Sequence, residues 1–270
     1  MSDPFPNGGA VWLIGCGAMG GAMLSRWLEA GLDPARVTIV TRSPREVPEG
    51  TRHLTSLPSG EQPAAVVLAM KPQQLGEVAP TLAGVEIGLL VSILAGVDTE
   101  TLARRIPARA VLRAMPNLPV AIGRGVTGLY TDSDDPAVRA TGDALAAPLG
   151  VGEWIDDEAR FDAVTALAGS GPGFLFRIID AFAAAGERLG LPADQSLRLA
   201  IATVDGAGRM AAAAGASPAM LADRVASKGG STRKGLDVLD RDGALVALLT
   251  DTLAAAERRN AEMAAEARQG

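Results

Sequence analysis

The feature that most constrains this chain is a wholly apolar run, Ala10-Val-Trp-Leu-Ile14, that ends directly in Gly15-Cys-Gly-Ala-Met-Gly20. A helical stretch, Ala18 to Ala30, follows at once and is closed by Gly31. A strand without polar alternation belongs in a sheet covered on both faces. Glycines at 15, 17 and 20 fit the G-x-G-x-x-G spacing. The first allows a tight turn, the second lets an anion approach the backbone, and the third lets helix and strand pack closely. The helix N-terminus then offers its free N–H groups to a pyrophosphate. Strand, motif and helix in that order point to a dinucleotide site whose backbone contacts are Gly15, Gly17, Ala18, Met19 and Gly20.

The pattern continues. Val37–Val40, Ala64–Ala69 and Leu89–Leu94 read as further strands, with two more at Ala110–Arg113 and Gly125–Tyr130. Helices are expected near Gln73–Ala83 and Thr99–Ile106. Such alternation predicts parallel strands with crossover helices on both faces. After Trp154 the texture changes: Ala, Leu, Glu and Arg dominate and β-branched runs disappear. Helices are expected at Ala159–Leu167, Phe174–Leu189, Ala193–Ala214, Pro218–Ala226 (capped by Ser217) and Ala244–Ala267. The second of these is apolar nearly all round, so other protein must surround it, a second subunit included. The fold class is therefore α/β, a Rossmann-type doubly wound sheet in residues 1–157, followed by an all-α dimerisation and substrate domain in 158–270.

Composition removes whole classes of function. A net charge of -6 and 3% aromatic residues offer nucleic acid neither a basic surface nor a stacking platform. One cysteine, Cys16, excludes an internal disulfide, and one histidine, His53, leaves every multi-histidine metal scheme short of ligands. No apolar run reaches the ~20 residues of a membrane helix, and the N-terminus lacks a basic region, so a cytoplasmic protein is expected. Cys16 between two glycines reads as a small side chain that fits, ahead of a reactive thiol. His53, between strands, is expected to be exposed.

The dinucleotide is selected at the end of the second strand. An NAD site places Asp or Glu there, about 20 residues past the motif. This chain has Thr41-Arg-Ser-Pro44. Arg42 can pair a 2′-phosphate and Ser43 can hydrogen-bond it, which puts NADPH ahead of NADH; the alternative is a solvated loop arginine.

Several segments together resemble the pyrroline-5-carboxylate reductases: GCGAMGGAML, LAMKPQQL at 68–75, SILAGV at 92–97, RAMPNLP at 113–119, ALAGSGPGF at 166–174 and VASKGGSTRKGLDVL at 225–239. The resemblance spans nearly the whole chain. It implies a homodimer, or a higher homo-oligomer, that reduces a small cyclic imine carboxylate, L-1-pyrroline-5-carboxylate, to L-proline with NAD(P)H. It also implies that Ser56, Met70, Lys71 and Pro72 flank the cofactor, with Ala95 and Asn117 near its nicotinamide end. Gly229, Gly230, Ser231 and Thr232 would bind substrate, and the Thr232 hydroxyl would sit beside the substrate nitrogen. Lys228 stands where the usual loop has Pro.

The loop residues support that chemistry independently. Ser227–Thr232 is a polar glycine turn opening a helix, whose converging N–H groups suit a carboxylate. The other reading is an ordinary capped loop. An imine that protonates readily needs no strong general acid, so a threonine hydroxyl can orient and polarise its nitrogen. Lys71 reads as an orienting group ahead of a proton donor. Ser170 reads as the cap of a helix beginning near Pro172, since no nucleophile elbow surrounds it. A β-hydroxyacid dehydrogenase would need a lysine in the 172–189 helix, and none is there. Two rivals stay open: a reductase of other cyclic imines and a non-catalytic NADP-binding regulator.

Overall fold

The computed structural model describes residues 3–5 and 8–269, with side chains through residue 265. The chain divides into two compact units, one comprising the residues up to Ser170 with those from Ala255 onward, the other Gly171–Ala254.

Among the described residues the first unit is built on eight strands: β1 (Val11–Ile14), β2 (Val37–Val40), β3 (Arg52–Leu54), β4 (Ala65–Leu68), β5 (Ile87–Ser92), β6 (Ala108–Pro116), β7 (Gly125–Tyr130) and β8 (Gly150–Trp154). Their order is β3-β2-β1-β4-β5-β6-β7-β8. Strands β1 to β6 are parallel, so the order reverses between β1 and β4, the switch point where ligands bind in such sheets. One expectation needs correction: β7 runs antiparallel to β6, then pairs in parallel with β8. The link from β6 to β7 is a short 3₁₀ turn, Leu118–Ile122, with no crossover helix to restore direction.

Alternation along the strands fills both faces. Val11, Leu13, Val67 and Val91 pack on one side with Met23, Leu24 and Trp27 of α1 (Ala18–Ala30). Trp12, Ile14, Val66, Leu68 and Leu90 pack on the other with Leu75 of α2 (Leu75–Val78) and Leu102 of α3 (Thr99–Arg105). The continuous apolar runs thus serve two cores at once. The expected helix over 73–83 is broken, with 3₁₀ turns at Pro72–Gln74 and Ala79–Leu82 flanking α2, because Pro80 supplies no N–H to the ladder.

The expected pattern does not include β3, β8 or α4 (Pro136–Ala146), whose Leu145 carbonyl accepts the Trp27 indole N–H at 2.9 Å. His53 lies on β3, half-buried rather than exposed, with Nε2 at 2.7 Å from Thr41 Oγ1. Residues 158–170 pack in this unit through α5 (Phe161–Val164) and a π turn at Thr165–Gly169. Ser170 has helical dihedrals (φ -85°, ψ -22°), not the extended ones of an N-cap, so the expected capping role does not hold. Glu158 is the knot of this segment. It accepts Arg113 Nη1 at 2.6 Å and both the Thr99 N–H and hydroxyl at 2.9 Å, while the Arg113 guanidinium lies 4.1 Å from the Phe161 ring centre.

The second unit is helical throughout: α6 (Gly171–Arg188), α7 (Ala193–Ala213), α8 (Pro218–Val225), α9 (Ser231–Leu239) and the start of α10 (Ala244–Gln269). Small residues let α6 and α7 approach closely. The Ser196 hydroxyl donates to the Ala183 carbonyl at 2.6 Å, and a Cβ on Gly186 would fall 2.3 Å from Ser196 Oγ. Among the described residues of this unit only Ala183, Ser196, Ala200 and Ala226 are buried. Leu175, Phe176, Ile178 and Phe182 of α6 are exposed.

Candidate active site

A cleft of about 1310 Å³ opens at the carboxyl ends of β1, β2, β4, β5 and β6, lined there by Ile14, Val40, Ala69, Ile93 and Met115. Its floor is the glycine motif. Gly15 has φ +84°, and a Cβ there would meet the Ala69 carbonyl at 2.6 Å. At Gly20 a Cβ would meet Ala69 Cβ at 2.9 Å, the close packing of helix on strand. At Gly17 a Cβ would touch nothing within 4 Å, so this backbone faces open space. Gly17 is also the N-cap of α1, and no side chain caps that helix. Its first N–H groups therefore remain for an external acceptor. The motif fits the phosphates of a dinucleotide in each of its three positions.

Gly15, Gly17, Ala18, Met19, Gly20, Arg42, Ser56, Met70 and Lys71 all line this cleft. Ser43, Pro72, Ala95 and Asn117 do not. Ser43 is exposed, and its carbonyl accepts the Thr41 hydroxyl at 2.8 Å. Pro72 opens a 3₁₀ turn beside Lys71. Asn117 is buried and its amide is fully engaged: Nδ2 donates to the Ala168 carbonyl at 2.9 Å, and Oδ1 accepts the Val126 N–H at 2.9 Å. It holds the end of β6 against β7 and the 165–169 turn, while its neighbours Met115 and Pro116 face the cleft. Those two were missed although they end a parallel strand, which is the signal that marks ligand contacts in such sheets.

Other contributors were also missed. Arg45 lines the cleft and donates to the Cys16 carbonyl, and Glu77 from α2 forms an ion pair with Arg42. Lys71 is exposed at the end of β4, suited to meeting an anion. Cys16 is buried, and burial pushes its thiol up against a smaller opposing pull from Arg45. That favours the space-filling reading over a reactive thiolate.

The second cluster lies in the helical unit. Ser227 to Gly230 form a turn closed by the Gly230 N–H on the Ser227 carbonyl at 2.9 Å, with Gly229 at φ +76°. Lys228 occupies the second position of that turn, where Pro would preset φ; the positive φ at Gly229 permits the turn with lysine in place. Gly230 is then the N-cap of α9, with no side-chain cap. Ser231 and Thr232 are exposed. Arg233 donates to Asp223 Oδ1 at 2.6 Å, tying α9 to α8. The loop thus presents an uncapped helix N-terminus carrying two hydroxyls.

Comparison with known proteins gives this geometry a lineage. Residues 158–263 match the family model described as pyrroline-5-carboxylate reductase dimerisation, and residues 10–96 match the one described as NADP oxidoreductase, coenzyme F420-dependent. The pyrroline-5-carboxylate reductase of Thermus thermophilus is 36% identical over 257 residues, covering 93% of this chain and 97% of that one. A solved pyrroline-5-carboxylate reductase from Coxiella burnetii superposes with a TM-score of 0.83 at 30% identity, covering 94% of this chain and 98% of that one. The Plasmodium falciparum pyrroline carboxylate reductase solved with NADP bound gives a TM-score of 0.79 at 22% identity, over 94% of this chain and 98% of that one. With its glycine cradle at the switch point and its glycine-rich turn opening α9, this chain belongs to the pyrroline-5-carboxylate reductase family.

Proposed function

We propose that this chain reduces L-1-pyrroline-5-carboxylate to L-proline with NADPH, as a cytoplasmic homodimer or larger homo-oligomer. The division of labour we propose is nucleotide binding by residues 1–157, and assembly and substrate binding by residues 158–270. The dimerisation match from residue 158 supports that boundary, although in a single chain residues 158–170 pack with the first unit.

The observation that carries the proposal is the uncapped start of α9 with its two hydroxyls. The N–H groups around Gly230 and Ser231 hold the substrate carboxylate, and the Thr232 hydroxyl orients the ring nitrogen and stabilises the proton it carries. Water supplies that proton before reduction, so no histidine is needed. In the cleft, Gly15, Gly17, Ala18, Met19 and Gly20 hold the pyrophosphate. Arg42 with Ser43 and Ser56 meets the adenosine end, and Lys71 adds positive charge. Met70 forms part of the wall, while Pro72, Ala95 and Asn117 act from outside the lining, Asn117 by fixing the strand end that presents Met115 and Pro116. When bound, the reduced nicotinamide supplies the hydride for the imine carbon. Placement is the protein's contribution.

Absorbance at the nicotinamide band tests the reading, with pyrroline-5-carboxylate beside a carboxylate-free pyrroline. NADPH oxidation on the first substrate, well above that on the second, is expected. Turnover on the carboxylate-free ring alone would point to a reductase of other imines, and none on either to a non-catalytic NADP-binding protein. In the active enzyme, Thr232→Ala should lower kcat by about 10- to 1,000-fold and leave NADPH affinity in place, with Thr232→Ser retaining much of the rate.

A further inference from the structure

Arg42 is the cation expected for a 2′-phosphate, yet in the fold its guanidinium is paired with a carboxylate. Glu77, 35 residues away and carried on α2, reaches across the cleft mouth to Arg42 Nη2. Both side chains line the cleft, and both are well exposed, at 65% and 70%. The pair is therefore solvated and easily opened. The other nearby cations do not share its position: Arg45 donates to the Cys16 carbonyl, and Lys71 stands at the end of β4.

We infer that Glu77 is a specificity-determining residue that weakens this chain's preference for the 2′-phosphorylated cofactor by competing with the 2′-phosphate for Arg42. This rests on the cofactor reading above. A dianionic phosphate must share the guanidinium with Glu77 or displace it, and in either case lies near a carboxylate of like charge. A 2′-hydroxyl asks for neither change and leaves the ion pair intact. Glu77 thus opposes one nucleotide and tolerates the other, narrowing the gap that Arg42 opens.

Titration calorimetry on the full-length protein with 2′,5′-ADP and 5′-ADP separates the two effects without turnover. Glu77→Gln should tighten 2′,5′-ADP by about three- to tenfold, the range for losing an exposed competing pair and a like charge, and leave 5′-ADP within about twofold. The gain should shrink as salt is raised. Glu77→Ala should behave alike, and because Glu77 is exposed neither variant should lower the melting temperature. Unchanged or weaker 2′,5′-ADP binding in both variants would overturn the inference, as would equal tightening of both nucleotides. If the unmodified protein binds neither nucleotide, the cofactor reading fails, and this inference falls with it.

Discussion

The two units of this chain solve the burial problem differently. In the sheet unit, Trp12, Trp27, Phe161 and Leu90 are all but fully buried, and two apolar clusters flank one sheet. In the helical unit the buried residues are small ones, and Phe176, Ile178, Phe182 and Leu248 remain exposed. Burying a large apolar side chain stabilises by about 1.5–3 kcal/mol. The first unit collects that gain within one chain, whereas the second leaves most of it unclaimed. A helix as apolar as α6, in a unit with so little core, obtains its stability from another surface. The match to a dimerisation family over 158–263 is consistent with a second copy supplying it. Under the proposed function, the nucleotide cradle is finished inside one chain, while the 227–232 loop rides on a unit that a second copy would complete.

That contrast can be broken at its weakest side first. Phe182→Asp places a carboxylate on the exposed apolar face of α6. If a second copy covers that face, self-association measured by analytical ultracentrifugation should weaken at least about 1,000-fold, since an unpaired charge would be buried in each copy. Unchanged assembly would show that α6 lies outside the contact. The matching change in the first unit is Glu158→Gln, which leaves Arg113, with a side chain only 6% exposed, without its counter-charge. It should cost about 2–4 kcal/mol, because removing one member of a buried pair strands the other. The loss should be independent of protein concentration, as read from chemical denaturation at several dilutions. A concentration-dependent loss would mean that the first unit also leans on assembly.

Local features were the legible ones. β1, the glycine motif and α1 were readable because each rests on neighbours within a few residues, and Gly31 closes α1 as the sequence indicates. α4 carried a readable signal too, an Asp135 cap followed by Pro136, and simply went unrecognised. β8 was hidden, since Gly150-Val-Gly-Glu-Trp154 pairs through its backbone and lacks an apolar run. Asn117 shows the limit most clearly. Its type and motif suggested a ligand contact, but its amide is consumed by Val126 and Ala168, partners that only the fold brings to it. The Arg42–Glu77 pair was invisible for the same reason. The 227–232 loop is readable as a helix start, whereas the expectation of a second copy rests on the apolar texture of α6 and on the family resemblance.

One chain should complete the nucleotide unit by itself, and a second copy should complete the helical one. Hydrogen–deuterium exchange across a dilution series, with the oligomeric state followed by sedimentation, tests this most directly. Amides of α6 should lose protection as the protein dissociates, while those of β5 keep theirs throughout. If α6 in the dissociated chain stays as protected as β5, the helical unit is stable alone and needs no second copy.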